Sequence, residues 1–122
     1  QARHLTVAEG QHGLYHCVTR CVRRAWLCGF DPITKVDHEH RKVMVEARIR
    51  ALAEIFAVDI YAYAVMSNHL HVVLSVEPRA TANWSEEDVA ARWVTLFPPR
   101  EPEQRAAKIQ ALIADKTALH IR

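Results

Sequence analysis

The sequence predicts an α+β domain, an antiparallel sheet carrying helices on one face. Three observations lead there. Segments of strand and helix type follow one another in the order β, α, β, β, α, with a further helix at the end. The run from Arg41 to Ala57 repeats Val45, Ile49, Leu52 and Phe56 at helical spacing. Two strand-like runs, VDIYAYAVM and HLHVVLSV, are separated only by Ser67 and Asn68, the length of a tight hairpin turn.

Each element has its own signal. GLYHCVTRCVRR alternates, with Leu14, His16, Val18 and Arg20 on one side and Tyr15, Cys17, Thr19 and Cys21 on the other, which predicts the first strand. WLCGFDPITKVD contains Gly29 and the Asp31-Pro32 turn and predicts a loop or short hairpin. In the first helix Glu46, Arg50 and Glu54 stand four apart, away from the apolar stripe. The second hairpin strand should end at Glu77-Pro78. In ANWSEEDVAARWVTLF, Ser85 is the expected N-cap, acidic residues fill the first turn, and Pro98-Pro99 stops the helix. Residues 103 to 118 repeat Ala106, Ile109, Leu112 and Ile113, behind a PPREPE linker. The expected division is a domain over 1–97 and a linker with a helical segment over 98–122. No internal repeat or low-complexity tract interrupts the chain.

Half of the 122 residues are apolar, a quarter are charged, and the net charge is +2, which suits one compact soluble domain. No run approaches the roughly 18 apolar residues of a membrane span, and QARHLTVAEG lacks the apolar core of a secretion signal. The expectation is a cytoplasmic protein without a membrane partner. Cys17, Cys21 and Cys28 are odd in number and their spacing matches no usual structural zinc pattern, so buried free thiols are expected. Asp37-His38-Glu39-His40 reads as a solvated turn before the helix rather than a metal cluster. Arg20, Arg23, Arg24, Lys35, Arg41, Lys42, Arg48 and Arg50 all lie in the first half, where they either attract phosphate or form a solvated face.

SNHLHVVL, residues 67 to 74, is the stretch that carries chemistry. Side chains at i and i+2 of a strand share a face about 6.6 Å apart, so His69 and His71 point the same way and can converge on one ion. Leu70, Val72, Leu74 and Val76 are left for the core. A two-residue turn opposes Met66 to His69, Val65 to Leu70, Ala64 to His71 and Ala62 to Val73, which leaves space beside both imidazoles. Tyr61 and Tyr63 should then pack on the core side with Leu74 and Val72. Two imidazoles leave a metal with open positions, as in catalytic sites, and a third protein ligand is expected. His16 shares the face of Arg20 and reads as a packed strand histidine ahead of a residue near the metal. Asn68 serves either as turn amide or as a phosphate contact. Trp26, Trp84 and Trp93 could stack unpaired bases, although Trp93 has helical spacing from Val89 and Leu96 and reads as core.

YAYAVMSNHLHVVL at 61 to 74, preceded by YHCVTRCVRR at 15 to 24 and the helix from Arg41, resembles the HUH single-strand endonuclease domain of REP-associated tyrosine transposases and small insertion-sequence transposases. The resemblance spans roughly residues 13 to 77. It implies a ferredoxin-like sheet, Mg²⁺ or Mn²⁺ on His69 and His71 as the catalytic metal ligands, and DNA contacts from Arg20, Arg23, Arg24 and Asn68. It implies as substrate single-stranded or hairpin DNA, nicked and rejoined in transposition through a tyrosine that becomes joined to a 5′ phosphate. A second copy of the chain is a further candidate partner. Two departures stand out. Arg20 is followed by Cys21 where the family usually has glycine, and no tyrosine follows Tyr63. Both chain ends read as cut, which would put the nucleophile beyond Arg122. The alternative is a DNA-binding module of the same fold that does not cut.

Overall fold

The computed structural model describes residues 10–23 and 25–115. The chain falls into two compact units, Gln1–Pro78 and Arg79–Arg122. No helix among the described residues is long and apolar enough to cross a membrane.

In the first unit, strand β1 (Gly13–Arg20) leads to a small hairpin of β2 (Phe30–Asp31) and β3 (Val36–Asp37), then helix α1 (His40–Phe56) and strands β4 (Val58–Val65) and β5 (His69–Val76). The main sheet is antiparallel with order β1-β5-β4, so the histidine strand is central. The α+β class is thereby established, with a mixed chain and an antiparallel sheet.

The alternation seen in the sequence decides which residues meet α1. Along β4, Val58, Ile60, Tyr63 and Val65 are half-buried, whereas Asp59, Tyr61, Ala62 and Ala64 are exposed. Helix α1 packs on β4, so it covers the face that holds Leu70, Val72 and Leu74. Ile49 is buried and Val45 and Leu52 are half-buried, as the helical stripe requires; Phe56, the last helical residue, is 52 % exposed. Tyr15 turns back over Gly13, where any Cβ would collide with its ring. The other sheet face carries the histidines and leaves Leu14 and Val18 more than half exposed.

The hairpin register is the expected one from Val65–Leu70 to Ala62–Val73. Beyond that it shifts: Ile60, not Tyr61, opposes Leu74. A β-bulge leaves its extra residue without a cross-strand partner, and Tyr61 is accordingly 67 % exposed. The expectation that Tyr61 packs against the core is corrected; Tyr63, opposite Val72, does pack there.

The β2–β3 turn is held by Asp31, whose carboxylate accepts from Ile33 N (2.8 Å) and Thr34 Oγ1 (2.6 Å). The Thr34 hydroxyl and these backbone donors keep the Asp31 carboxyl below its ordinary range. Gly29 has φ 79, which an L-residue adopts only with strain.

In the second unit, α2 (Glu86–Leu96) and α3 (Arg105–Ala114) pack together, with Ala90 and Val94 fully buried. Ser85 caps α2: its Oγ accepts from Asp88 N (3.1 Å) while Asp88 Oδ2 accepts from Ser85 N (2.9 Å). Trp93 stacks on Phe97 with ring centroids 4.8 Å apart, as a packing residue should. Trp84 is covered by the Arg92 guanidinium at 3.8 Å. Arg105 donates to Thr95 Oγ1 and Lys108 to the Phe97 carbonyl, joining the helices across the proline turn.

Ser85→Ala should lower the stability of this unit by about 1 kcal/mol, read as a lower thermal midpoint by circular dichroism. The Ser85 backbone N–H, then its side chain, hold the Asp88 carboxyl below its ordinary value. A depressed folded value means that the Asp88 contribution is present above the unfolded pKa of about 3.9 and is lost as pH falls through the folded value. Acid should therefore weaken the cap, and a wild type whose cap resists acid would contradict the assignment.

Candidate functional site

The site is built around the Ser67–Asn68 turn. The segment after β1 wraps this turn: Cys21 N donates to the Asn68 carbonyl (2.8 Å), and Leu27 N and Cys28 N both donate to the Ser67 carbonyl. Cys28 Sγ donates to the Met66 carbonyl (3.2 Å). Arg41, at the start of α1, donates to the Trp26 carbonyl (3.2 Å) and so holds the wrapping segment. Four backbone amide and thiol donors fix the turn, and the turn fixes the start of the histidine strand.

His69 and His71 are half-buried on the sheet face opposite α1, with ring centroids 4.8 Å apart. Ala64 opposes His71, and the exposed Ala62 follows on the same face. The expected small-residue clearance beside the imidazoles is present. His69 Nδ1 donates to Asn68 Oδ1 at 2.6 Å. An amide oxygen only accepts, so this ring carries its proton on Nδ1 and leaves an Nε2 lone pair. His71 Nδ1 is hydrogen-bonded to His16 Nε2 at 2.9 Å, and these two rings stack at 5.1 Å. No hydrogen bond found among the described residues engages Nε2 of His69 or His71.

Arg20 opposes His69 across β1 and β5, so its side chain leaves the sheet on the histidine face. Arg23 follows in the left-handed region (φ 55), a conformation that costs an L-residue roughly 1–2 kcal/mol. Together with Cys21, Trp26, Ile33, Ser67 and Asn68 these arginines line a hollow of about 440 Å³. That volume lies within the roughly 300–1,000 Å³ range of small-ligand sites. Arg24 lies outside the described residues.

The predicted site residues His69, His71, Asn68, Arg20 and Arg23 are thus gathered at one end of the sheet. His16, read as a packed strand histidine, is exposed and touches His71. The alternation of β1 already put it on the face of Arg20, but the sequence held no sign of how far β1 slides along β5. Trp26 and Ile33 enter through loops whose approach no local pattern encodes. Among the described residues no group of three His, Cys, Asp or Glu side chains is disposed to hold a metal ion, so the expected third ligand is not in evidence there.

All three cysteines are free, but only Cys28 is buried; Cys21 is half-buried and Cys17 exposed, because β1 is an edge strand. Burial, then the charge of Glu39, push the Cys28 thiol up, which keeps it protonated and inert. No protein-family model, no curated protein and no solved structure matches the chain.

Proposed function

We propose that the chain is the metal-binding and strand-gripping part of a transposase-like HUH endonuclease, acting in the cytoplasm on single-stranded or hairpin DNA. The observation that carries this reading is the pair of imidazoles on one sheet face, each with its Nδ1 in a hydrogen bond. Metal-ligating histidines are characteristically held by the nitrogen that does not bind the ion. The donor set fits a divalent ion with open positions: His69 and His71 would hold it, and imidazole nitrogen suits Mn²⁺ better than Mg²⁺, whose preferred donors are oxygens. When bound, such an ion supplies Lewis-acid polarisation of a phosphate oxygen.

The chain's own residues do the remaining work. Arg20 and Arg23 neutralise the incoming strand, and their planar forks suit phosphate oxygens. Asn68 holds the His69 ring through its amide oxygen, which leaves the amide N–H₂ to meet a phosphate. Trp26, at the wall of the hollow, offers a ring for an unpaired base. The finer fold reading belongs to the same proposal, since β1, α1, β4 and β5 follow the order of the first four elements of a ferredoxin-like domain. A DNA-binding module that does not cut is the second reading; no tyrosine stands between Tyr63 and Arg122.

The test is binding of hairpin DNA with a single-stranded flank over a range of salt. An Arg20→Ala/Arg23→Ala variant should bind more weakly, with the slope of log K against log salt reduced by about 0.7 per lost single-strand contact. A folded double variant with an unchanged slope would remove these arginines from the interface.

A further inference from the structure

We propose that His16 is a positioning residue for His71, accepting the hydrogen bond that fixes which nitrogen of His71 is left to bind a metal. This rests on the metal reading of His69 and His71 given above. A neutral imidazole has one N–H and one lone pair, so a ring that ligates through Nε2 must carry its proton on Nδ1 and needs an acceptor there. For His69 the acceptor is the Asn68 amide oxygen at 2.6 Å. For His71 the partner at Nδ1 is His16 Nε2 at 2.9 Å.

The two histidines come from different strands and are not directly opposed: His16 faces Val73 and His71 faces Val18. They are diagonal neighbours, a separation that aromatic side chains can bridge. Their ring centroids lie 5.1 Å apart with the planes 26° from parallel, and the hydrogen bond limits rotation of the His71 ring.

On this assignment His16 is not the third ligand. Once its Nε2 accepts from His71, its own proton sits on Nδ1, and neither nitrogen has a lone pair to offer. An imidazole acceptor also differs from a carboxylate in adding no negative charge beside a site meant to receive phosphate.

Two measurements on the full chain test the assignment. Long-range ¹H–¹⁵N correlation without metal should show His71 protonated at Nδ1 in the wild type and a shift towards the Nε2–H form in His16→Ala. His16→Gln, whose amide oxygen can accept, should keep the Nδ1–H form. Calorimetric titration with Mn²⁺ should show affinity lowered about 10- to 100-fold in His16→Ala and largely regained in His16→Gln. A wild-type His71 protonated at Nε2 overturns the proposal whether or not metal binds. So does undiminished Mn²⁺ affinity in His16→Ala. A Gln variant as weak as the alanine variant would make His16 a ligand and overturn the positioning role. Failure of the wild type to bind Mn²⁺, with the His71 tautomer as stated, would instead sink the functional reading and leave the hydrogen bond standing.

Discussion

His69→Ala and His71→Ala should each lower Mn²⁺ affinity by at least about a hundredfold, more than the 10- to 100-fold typical of losing an outer partner. Each removes one of the two donors proposed among the described residues, and a single neutral imidazole in water competes poorly with the hydration shell of the ion. Both side chains are half-buried rather than buried, and β5 is clamped by β1 and β4 on either side, so the fold should survive either change. Far-UV circular dichroism checks the fold and calorimetry reads the affinity. Equal affinity in the wild type and both single variants would remove the site. His12 is a useful control. Its Nε2 bonds Ser75 Oγ at 2.9 Å, and Ser75 lies four residues beyond His71 on the same strand, so His12→Ala should leave Mn²⁺ affinity unchanged.

The second expected result is that residues 1 to 122 bind hairpin DNA in the presence of Mn²⁺ without forming a covalent protein–DNA adduct. A nucleophile must approach phosphorus in line, with reacting atoms about 3 to 3.5 Å apart. Tyr63 lies on the face covered by α1, opposite Val72, and Tyr15 lies on the same face against Gly13. Only Tyr61 among the three is strongly exposed, lifted out of register by the bulge. Its neighbour Ala62 pairs with Val73, two residues along β5 from His71 and further still from the turn and the arginines. End-labelled hairpin DNA incubated with the chain and run on a denaturing gel should show no slow band. Were a band to form, its loss in Tyr61→Phe would identify the bulged tyrosine as the nucleophile and overturn the claim that these residues lack one.

Much of the site was legible because its signals are local. His69-Leu70-His71 reports a shared face through the two-residue period of a strand, and Ser67-Asn68 is short enough to set the hairpin register from Val65 to Ala62. The register failed at Tyr61 because a bulge is decided by how the two strands fit along their whole length. The cysteines show the same limit. Their alternation was visible, but whether the strand that carries Cys17 lies at an edge or in the middle of a sheet was not.

The sequence by itself determined the first helix, read over Arg41 to Ala57 and found over His40–Phe56, the cap at Ser85, the histidine hairpin and the common face of His16 and Arg20. All of these follow from spacings of two, three or four residues and from a turn too short to allow alternatives. Only the tertiary structure decided that β1 pairs with β5 in the register that sets Arg20 opposite His69 and brings His16 to His71. It alone brought Cys21, Leu27 and Cys28 onto the turn and formed the arginine-lined hollow beside it. The physical reason is that periodicity fixes which side chains share a face, whereas partner and offset depend on contacts summed over strands distant in sequence.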